Sequence, residues 1–591
     1  MMNSLIKKRE EKITGPRLII GYLGLFMILA GVLACVPLVT LVYYYDCLYA
    51  WWYFFLPGSI SIFFGSIQYS LIYRKNVGKL QGTEEMFLTI AVWIIAILVN
   101  SFPFYIWGHV GGYNTINPEV GDVNNFINYA NKTLYYVKGG EGHAFFYFTQ
   151  AVFESASCIA TVGLTLFPTE SISGKHTYNM NMFSYEVNNY TEFVPGTEIF
   201  LFHRAFLCLI AGVGLALVLA SALSNRSFFQ IYLLEGHSDK LMPNLSQSAR
   251  RIFLYYLSFV AFGAVGYLCC GMTFFDSICY AMTAVSTSGF ANHATSIMFF
   301  EVALGQSRAI AIEAITIVLM FLGATSFMVH HYFFKGQFKK AFLNQETITR
   351  FIFIAFFLPL VYAGFRMPYN DLMSLANTNQ ASIYVYFEDP GQAFRHALFE
   401  FTSISTTSGF ASIPSYESGS LAPITYISFI LLAFIGGMGG STAGGIKFFR
   451  IGDIFLSFKE IIASKVRKQE VVHTCFTYKY GEKVPILDSQ KKEALDFAVI
   501  YISSIFAFTL IPVFIGYSFQ DSLFEVASAI ANLGETSGLS LAASNAHQWG
   551  VLWSLIFVMI LGRLEINIFF FLFAKFVNDI KSAKHRVKTN R

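Results

Sequence analysis

Charge is what this chain has least of. Asp, Glu, Lys and Arg make up 13% of its 591 residues, against 55% hydrophobic and 17% aromatic. That balance excludes a string of soluble domains and describes a membrane chain. Cysteine is as thin: eight, scattered, with no CxxC and no Cys/His pair at ligand spacing. The vicinal Cys269-Cys270 lies in an apolar run and reads as small apolar filler. No nucleotide-binding glycine loop, zinc site or catalytic triad is present, and the adjacent His330-His331 stands at a helix end. The largest inner segment, 451–492, is too small for a sensing domain. A membrane enzyme or receptor therefore has little to work with. The basic start, MMNSLIKKREEK, precedes a long apolar run without a small-residue cleavage site, so an uncleaved spanning helix is expected.

Long apolar runs, by contrast, are plentiful. Spans are expected near 17–45 and 49–72, then 86–108, 197–225, 251–273, 307–334, 350–367, 421–457, 493–518 and 548–576. The first two form a hairpin, residues 1–80. The rest divides into four units of one design: 81–240, 241–345, 346–485 and 486–591. Expected inner segments carry Arg226, Lys240, Arg250, Arg251, Lys335, Lys339, Lys340, Lys447, Arg450, Lys459, Lys465, Arg467 and Lys468, and the tail KSAKHRVKTNR is basic. Outer segments carry Glu170, Glu186, Glu192 and Glu198 with few cations. This bias puts both termini in the cytoplasm and by itself accounts for the basic loops without nucleic acid.

Each unit repeats one short stretch. Residues 153–164 read FESASCIATVGL, 399–410 FEFTSISTTSGF, and 524–535 FEVASAIANLGE; Glu154, Glu400 and Glu525 each precede a glycine by nine, namely Gly163, Gly409 and Gly534. A fourth copy, CYAMTAVSTSGF at 279–290, puts Tyr280 nine before Gly289. A hydroxyl follows the Glu or Tyr by three: Ser157, Thr283, Ser403, Ser528. Four copies in one register predict four quasi-equivalent elements around an axis. Each is a helix too short to cross a bilayer, followed by a glycine turn that exposes carbonyls. Irregular backbone at membrane depth must be buried in protein or line a wet cavity, and carbonyl rings can replace the hydration shell of a cation. Ser/Thr-Gly pairs also end ordinary helices. Thr161-Val162-Gly163 matches the first three letters of the TVGYG filter; the other copies are richer in hydroxyls, so fewer sites and modest selectivity are expected. In the fourth copy Gly538 offers a rival register, and Glu535 follows Gly534 where the other copies have Leu or Phe. That carboxylate would either concentrate cations or sit in a salt bridge.

Two further features stand out. Gly436, Gly437, Gly439, Gly440, Gly444 and Gly445 surround Ser441 and Thr442 inside an expected span. So many glycines make a poor continuous helix, and a broken helix lining or plugging the pathway is expected, with a small-residue packing face as the alternative. Arg563, with Glu565, falls in the middle of the last span, where a cation costs ~2.5–3.5 kcal/mol on insertion scales and needs partners. Beside the glycine-rich loop it would make a gate.

This combination resembles the Trk/Ktr/HKT superfamily of potassium transporters, and most closely its TrkH branch. The motifs are the four repeats, GGMGGSTAGGIK (436–447), MFLGATSF (320–327) and GRLE (562–565). The resemblance implies an all-α integral membrane protein with four membrane-pore-membrane repeats in pseudo-fourfold arrangement plus an N-terminal two-helix hairpin. It implies K⁺ held by Thr161, Val162 and Gly163; Thr287, Ser288 and Gly289; Thr407, Ser408 and Gly409; and Asn532, Leu533 and Gly534. It implies a gating loop at 436–445 working against Arg563, and a homodimer in the lipid of the plasma membrane (the bacterial inner membrane). A separate cytosolic TrkA-like ring that senses NAD or ATP is the implied regulator, with no cofactor on this chain. A Na⁺-permeable or cation-coupled symporter of the same fold is the alternative.

Overall fold

Glycines seven apart join the first two helices. Pro16–Cys35 and Trp51–Ser70 are linked by the tight turns Val36–Val42 and Tyr45–Ala50. A Cβ on Gly24 would lie 2.6 Å from the carbonyl oxygen of Gly65, and one on Gly65 2.6 Å from that of Gly24. Gly31 and Gly58 repeat the relation at 2.5 and 2.8 Å. Only hydrogen fits there, so two backbones touch without polar side chains, as membrane helices allow. The far face of the second helix presents Phe63, Phe64 and Ile67, each more than half exposed, as lipid-facing side chains are.

This computed structural model describes residues 13, 15–73, 80, 82–107, 147–166, 176–179, 184–187, 198–214, 245–293, 295–367, 385–414, 416, 420–466, 475–564 and 566–589. Outside them lie Glu170, Glu192, Arg226, Lys240, Arg467, Lys468, Glu565 and most of the outer loop of unit one.

Among the described residues seven helices are long and apolar enough to span, fewer than the ten continuous spans expected. Six of them are the hairpin pair and the first helices of the four units, Gly82–Ile106, Leu245–Cys269, Gln345–Phe365 and Asp488–Ile515, and Gln306–Gly323 is the seventh. The difference lies among the second helices of the units. In unit one Glu198–Val213 is described only as far as Gly214. In unit two Gln306–Gly323 stops, and Phe327–Phe334 starts anew after Ala324-Thr325-Ser326. In unit three Pro423–Ala433 and Phe448–Val466 flank a non-helical stretch. In unit four Trp549–Arg563 and the following helix meet at 105°. The continuous spans 307–334 and 548–576 are therefore corrected: both break. Arg563 is not mid-span but the last residue of its helix.

Four short helices occupy the centre: Phe148–Ile159, Phe274–Val285, Pro390–Ser405 and Phe519–Ala531. Three start on a side-chain cap, where Thr273, Asp389 and Ser518 accept from the amides of Asp276, Gln392 and Asp521. Their last two turns are buried throughout, so these polar, too-short helices survive because the longer helices wrap them. Within the inner segment 451–492, Phe476–Lys479 pairs with Glu482–Pro485 as a hairpin.

Candidate functional site

Each central helix ends the same way. Thr161, Thr287, Thr407 and Asn532 take left-handed φ values of 54°, 50°, 51° and 56°. For a β-branched residue that is a strained conformation, which the surroundings must enforce. The enforcing bond is the same in each copy. The amides of Val162, Ser288, Ser408 and Leu533 donate to the carbonyls of Ser157, Thr283, Ser403 and Ser528, at 2.8, 3.0, 2.8 and 2.9 Å. A bond spanning five residues back, past a left-handed residue, is the Schellman helix end. The hydroxyl residues three past the Glu or Tyr thus mark where the chain is pinned. In copies one and four the Ser157 and Ser528 hydroxyls also accept from the Gly163 and Gly534 amides, at 3.2 and 3.1 Å.

The four glycines that follow close a ring. A Cβ on Gly163 would overlap the carbonyl oxygen of Ser288, one on Gly289 that of Ser408, one on Gly409 that of Leu533, and one on Gly534 that of Val162. The series returns to its start, so all twelve sequence-identified residues stand together. Gly534 is the ring member of the fourth copy. Gly538 lies outside the ring, at the start of Leu539–Asn545.

The repeated glutamates, noted in the sequence only as register marks, have a shared task. Glu154, fully buried, accepts from Thr165 Oγ1 at 2.8 Å and the Leu166 amide at 3.0 Å. Glu400 accepts from the Ser412 amide and hydroxyl, each at 2.7 Å, and from Tyr416. Glu525 accepts from Thr536 and from the Ser537 amide at 2.9 Å. Each carboxylate reaches eleven or twelve residues on and clamps the chain just after its glycine turn. In unit two Tyr280 donates to the Ser296 carbonyl instead, and Asp276 accepts from Asn292 at 2.8 Å. Glu535 is buried and accepts from Ser403 Oγ at 3.5 Å, so it ties unit four to unit three and forms no salt bridge among the described residues.

Beneath the ring lies the glycine-rich stretch. It doubles back on itself: Gly436 N donates to the Ile446 carbonyl and Ile446 N to that of Phe434. A Cβ on Gly436 would overlap the Gly444 carbonyl, and one on Gly444 the Ala531 carbonyl of the fourth central helix. Thr442 Oγ1 reaches the carbonyls of Val285 and Gly323 in unit two and lies 3.1 Å from Thr287 Oγ1. The Gly444 amide donates to Thr407 Oγ1 at 2.9 Å, and the Gly439 amide to Glu346 at 2.7 Å. The Met438 amide donates to the Ala324 carbonyl, and the Gly440 carbonyl accepts from Phe327 N. Gly437, Ser441 and Gly445 complete the stretch, and Gly440 and Gly445 have left-handed φ values. It touches units two, three and four directly. The link to unit one is Arg563, which donates to the Thr442 carbonyl at 2.8 Å and to the Ala211 carbonyl at 2.6 Å. The buried Thr161 hydroxyl, in that same unit, has no hydrogen-bond partner among the described residues.

Two more arginines went unremarked in the sequence. Arg350 donates to Thr325 Oγ1 at 2.9 Å and to the Ala324 carbonyl at 2.7 Å, satisfying the broken end of Gln306–Gly323. Arg204, 2% exposed, pairs with Glu154 at 3.1 Å. Neither stands in a repeat or beside glycines, so neither announced itself.

A family model described as TrkH, cation transport protein, matches residues 148–584, from the first central helix into the last helix. The chain belongs to the TrkH family of cation transport proteins. TrkH-family relatives cover nearly its whole length. An uncharacterized cation transporter of Methanocaldococcus jannaschii is 25% identical over 94% of this chain and 95% of its own. The Trk system potassium uptake protein TrkH of Halomonas elongata is 24% identical over 93% and 96%. The crystal structure of the potassium transporter TrkH from Vibrio parahaemolyticus superimposes with a TM-score of 0.68 at 22% identity, covering 95% of this chain and 98% of that one; it shares the fold. The TrkH family makes this a membrane-embedded cation transporter.

Proposed function

We propose that the chain takes up K⁺ across the plasma membrane through the ring of four glycine turns. The closure of that ring, each glycine seated against the next unit's carbonyl, carries the reading. Carbonyls from the four turns replace part of the ion's water shell. The four central helices aim their negative C-terminal ends at the same place, adding a field that favours a cation. An inward membrane voltage then drives entry, at about 2.3 kcal/mol per 100 mV for a monovalent ion, so this chain needs no ATP hydrolysis of its own.

The stretch 436–445 acts as the gate, with Arg563 as its latch. The loop seals the sectors of units two to four. The guanidinium joins it to unit one and puts a positive charge below the ring, where it repels the cation. A homodimer, cytoplasmic termini and control by a TrkA-like nucleotide-binding ring complete the reading, since relatives are named as components of Trk potassium uptake systems. Ion-coupled symport gains nothing from Glu535, because that carboxylate is buried behind the ring and occupied by Ser403.

Purified protein in liposomes, with flux followed under K⁺, Rb⁺, Na⁺ and Li⁺ gradients, tests this. K⁺ and Rb⁺ should outrun Na⁺, Gly289→Ser should narrow the gap, and Arg563→Ala should raise flux. Flux that is indifferent to both changes takes the ring and the loop out of the ion path.

A further inference from the structure

Behind the ring, every seam between neighbouring units is crossed by a different polar tie. Between units four and one, Gln150 Nε2 donates to Ser544 Oγ at 2.7 Å. Between three and four, Ser403 donates to Glu535 at 3.5 Å. Between two and three, the Ala411 amide donates to Ser296 Oγ at 3.1 Å. On that seam Arg395 of unit three also pairs with Glu301 and Glu313 of unit two, at 2.6 and 3.2 Å, and the seam between units one and two is likewise tied by an arginine. There Arg204 reaches from the second helix of unit one, with Nη1 on Glu154 Oε1 at 3.1 Å and on Thr165 Oγ1 at 3.0 Å. Its Nη2 donates to the Ala291 carbonyl of unit two at 3.1 Å, and the guanidinium lies 5.0 Å from the Phe290 ring centroid.

Thr165 and Ala291 are equivalent positions, each two residues past its ring glycine. One rigid planar fork therefore fixes the spacing between two neighbouring turns. Resting on the uptake reading above, we propose that Arg204 is a specificity-setting positioning residue: by bridging Thr165 and Ala291 it holds the ring at the width that favours K⁺ over Na⁺. It touches no ion itself. The residue type follows from the geometry. Lysine would still neutralise Glu154, but a single ammonium on a flexible stem cannot hold Glu154, Thr165 and the Ala291 carbonyl at fixed separations as guanidinium does. A ring loosened on one seam adapts to the smaller ion. Loss of a merely structural group would instead reduce the amount of working protein, and with it K⁺ and Na⁺ flux by one factor.

The test is the K⁺:Na⁺ flux ratio of full-length protein in liposomes at matched protein content. Arg204→Lys should lower the ratio by about tenfold, the worth of one charge-assisted hydrogen bond. Thr165→Val, which removes one acceptor from the fork and leaves the arginine in place, should lower it in the same direction by less. It carries the test if the lysine variant fails to reach the membrane. An unchanged ratio in Thr165→Val together with an unchanged ratio or absent protein for Arg204→Lys overturns the assignment. Wild-type protein with no preference between the ions defeats the uptake reading instead, and is seen before any variant is made.

Discussion

The ring and the loop beneath it are both built on glycine, yet they are held in opposite ways. Each ring turn is pinned from within its own unit, by the five-back amide bond and by a buried carboxylate or, in unit two, Tyr280 and Asp276. The loop folds back on itself through Gly436, Ile446 and Ser441, but most of its polar bonds go to residues outside the stretch, in unit two and elsewhere in unit three. Its amides and hydroxyls bond Ala324, Gly323, Val285, Glu346 and Thr407, and its one internal link of ladder type joins Ile435 and Ile446. A turn fixed by its own helix stays when neighbours shift. A stretch fixed by borrowed partners lets go when any of several neighbours moves, which is what the proposed division between selector and gate requires.

Substitution within the ring should have the gravest effect. Gly534→Ala adds a methyl that overlaps the Val162 carbonyl at a φ of 90°. Strain and overpacking together should reduce K⁺ flux on the order of a hundredfold, measured in liposomes, with little change in the amount of protein. Near-normal flux would mean the turns give way and the ring is not rigid. A smaller and opposite effect belongs to the loop: Thr442→Val removes its hydroxyl bonds to Val285 and Gly323, and basal flux should rise about tenfold. A fall in flux would show that Thr442 supports the open state. The smallest change sharpens the contrast. Glu346→Gln keeps an acceptor for the Gly439 amide but discharges it, weakening one charge-assisted bond, so basal flux should rise roughly twofold.

Why some of this was legible in the sequence and some was not is a matter of signal per residue. The ring was readable because its demand for glycine and a hydroxyl recurs in register, and four copies of a weak pattern make a strong one. The break at 434–447 was readable because so many glycines cannot all be helix. The break at Ala324-Thr325-Ser326 was hidden: those residues tolerate a helix, and what ends it is Arg350, distant in the chain, satisfying the freed carbonyl. The bend after Arg563 was hidden too. Its local sign is Gly562, whose missing side chain lets the helix lie against the Ile530 carbonyl. The glutamate clamps lay between these cases. Their first halves repeat visibly, but their partners are a backbone amide and an ordinary Ser or Thr hydroxyl, which carry no signal alone.

The ring closes within one polypeptide. In an assembly of four identical chains a single codon change alters every quadrant at once, so most changes are ruinous. Here each quadrant varies alone: Asn532 replaces threonine in one turn, Tyr280 replaces glutamate in another, and Glu535 stands where Leu or Phe stands elsewhere. On the uptake reading proposed above, such a ring can be retuned a quarter at a time, by graded steps that a fourfold-symmetric pore does not offer.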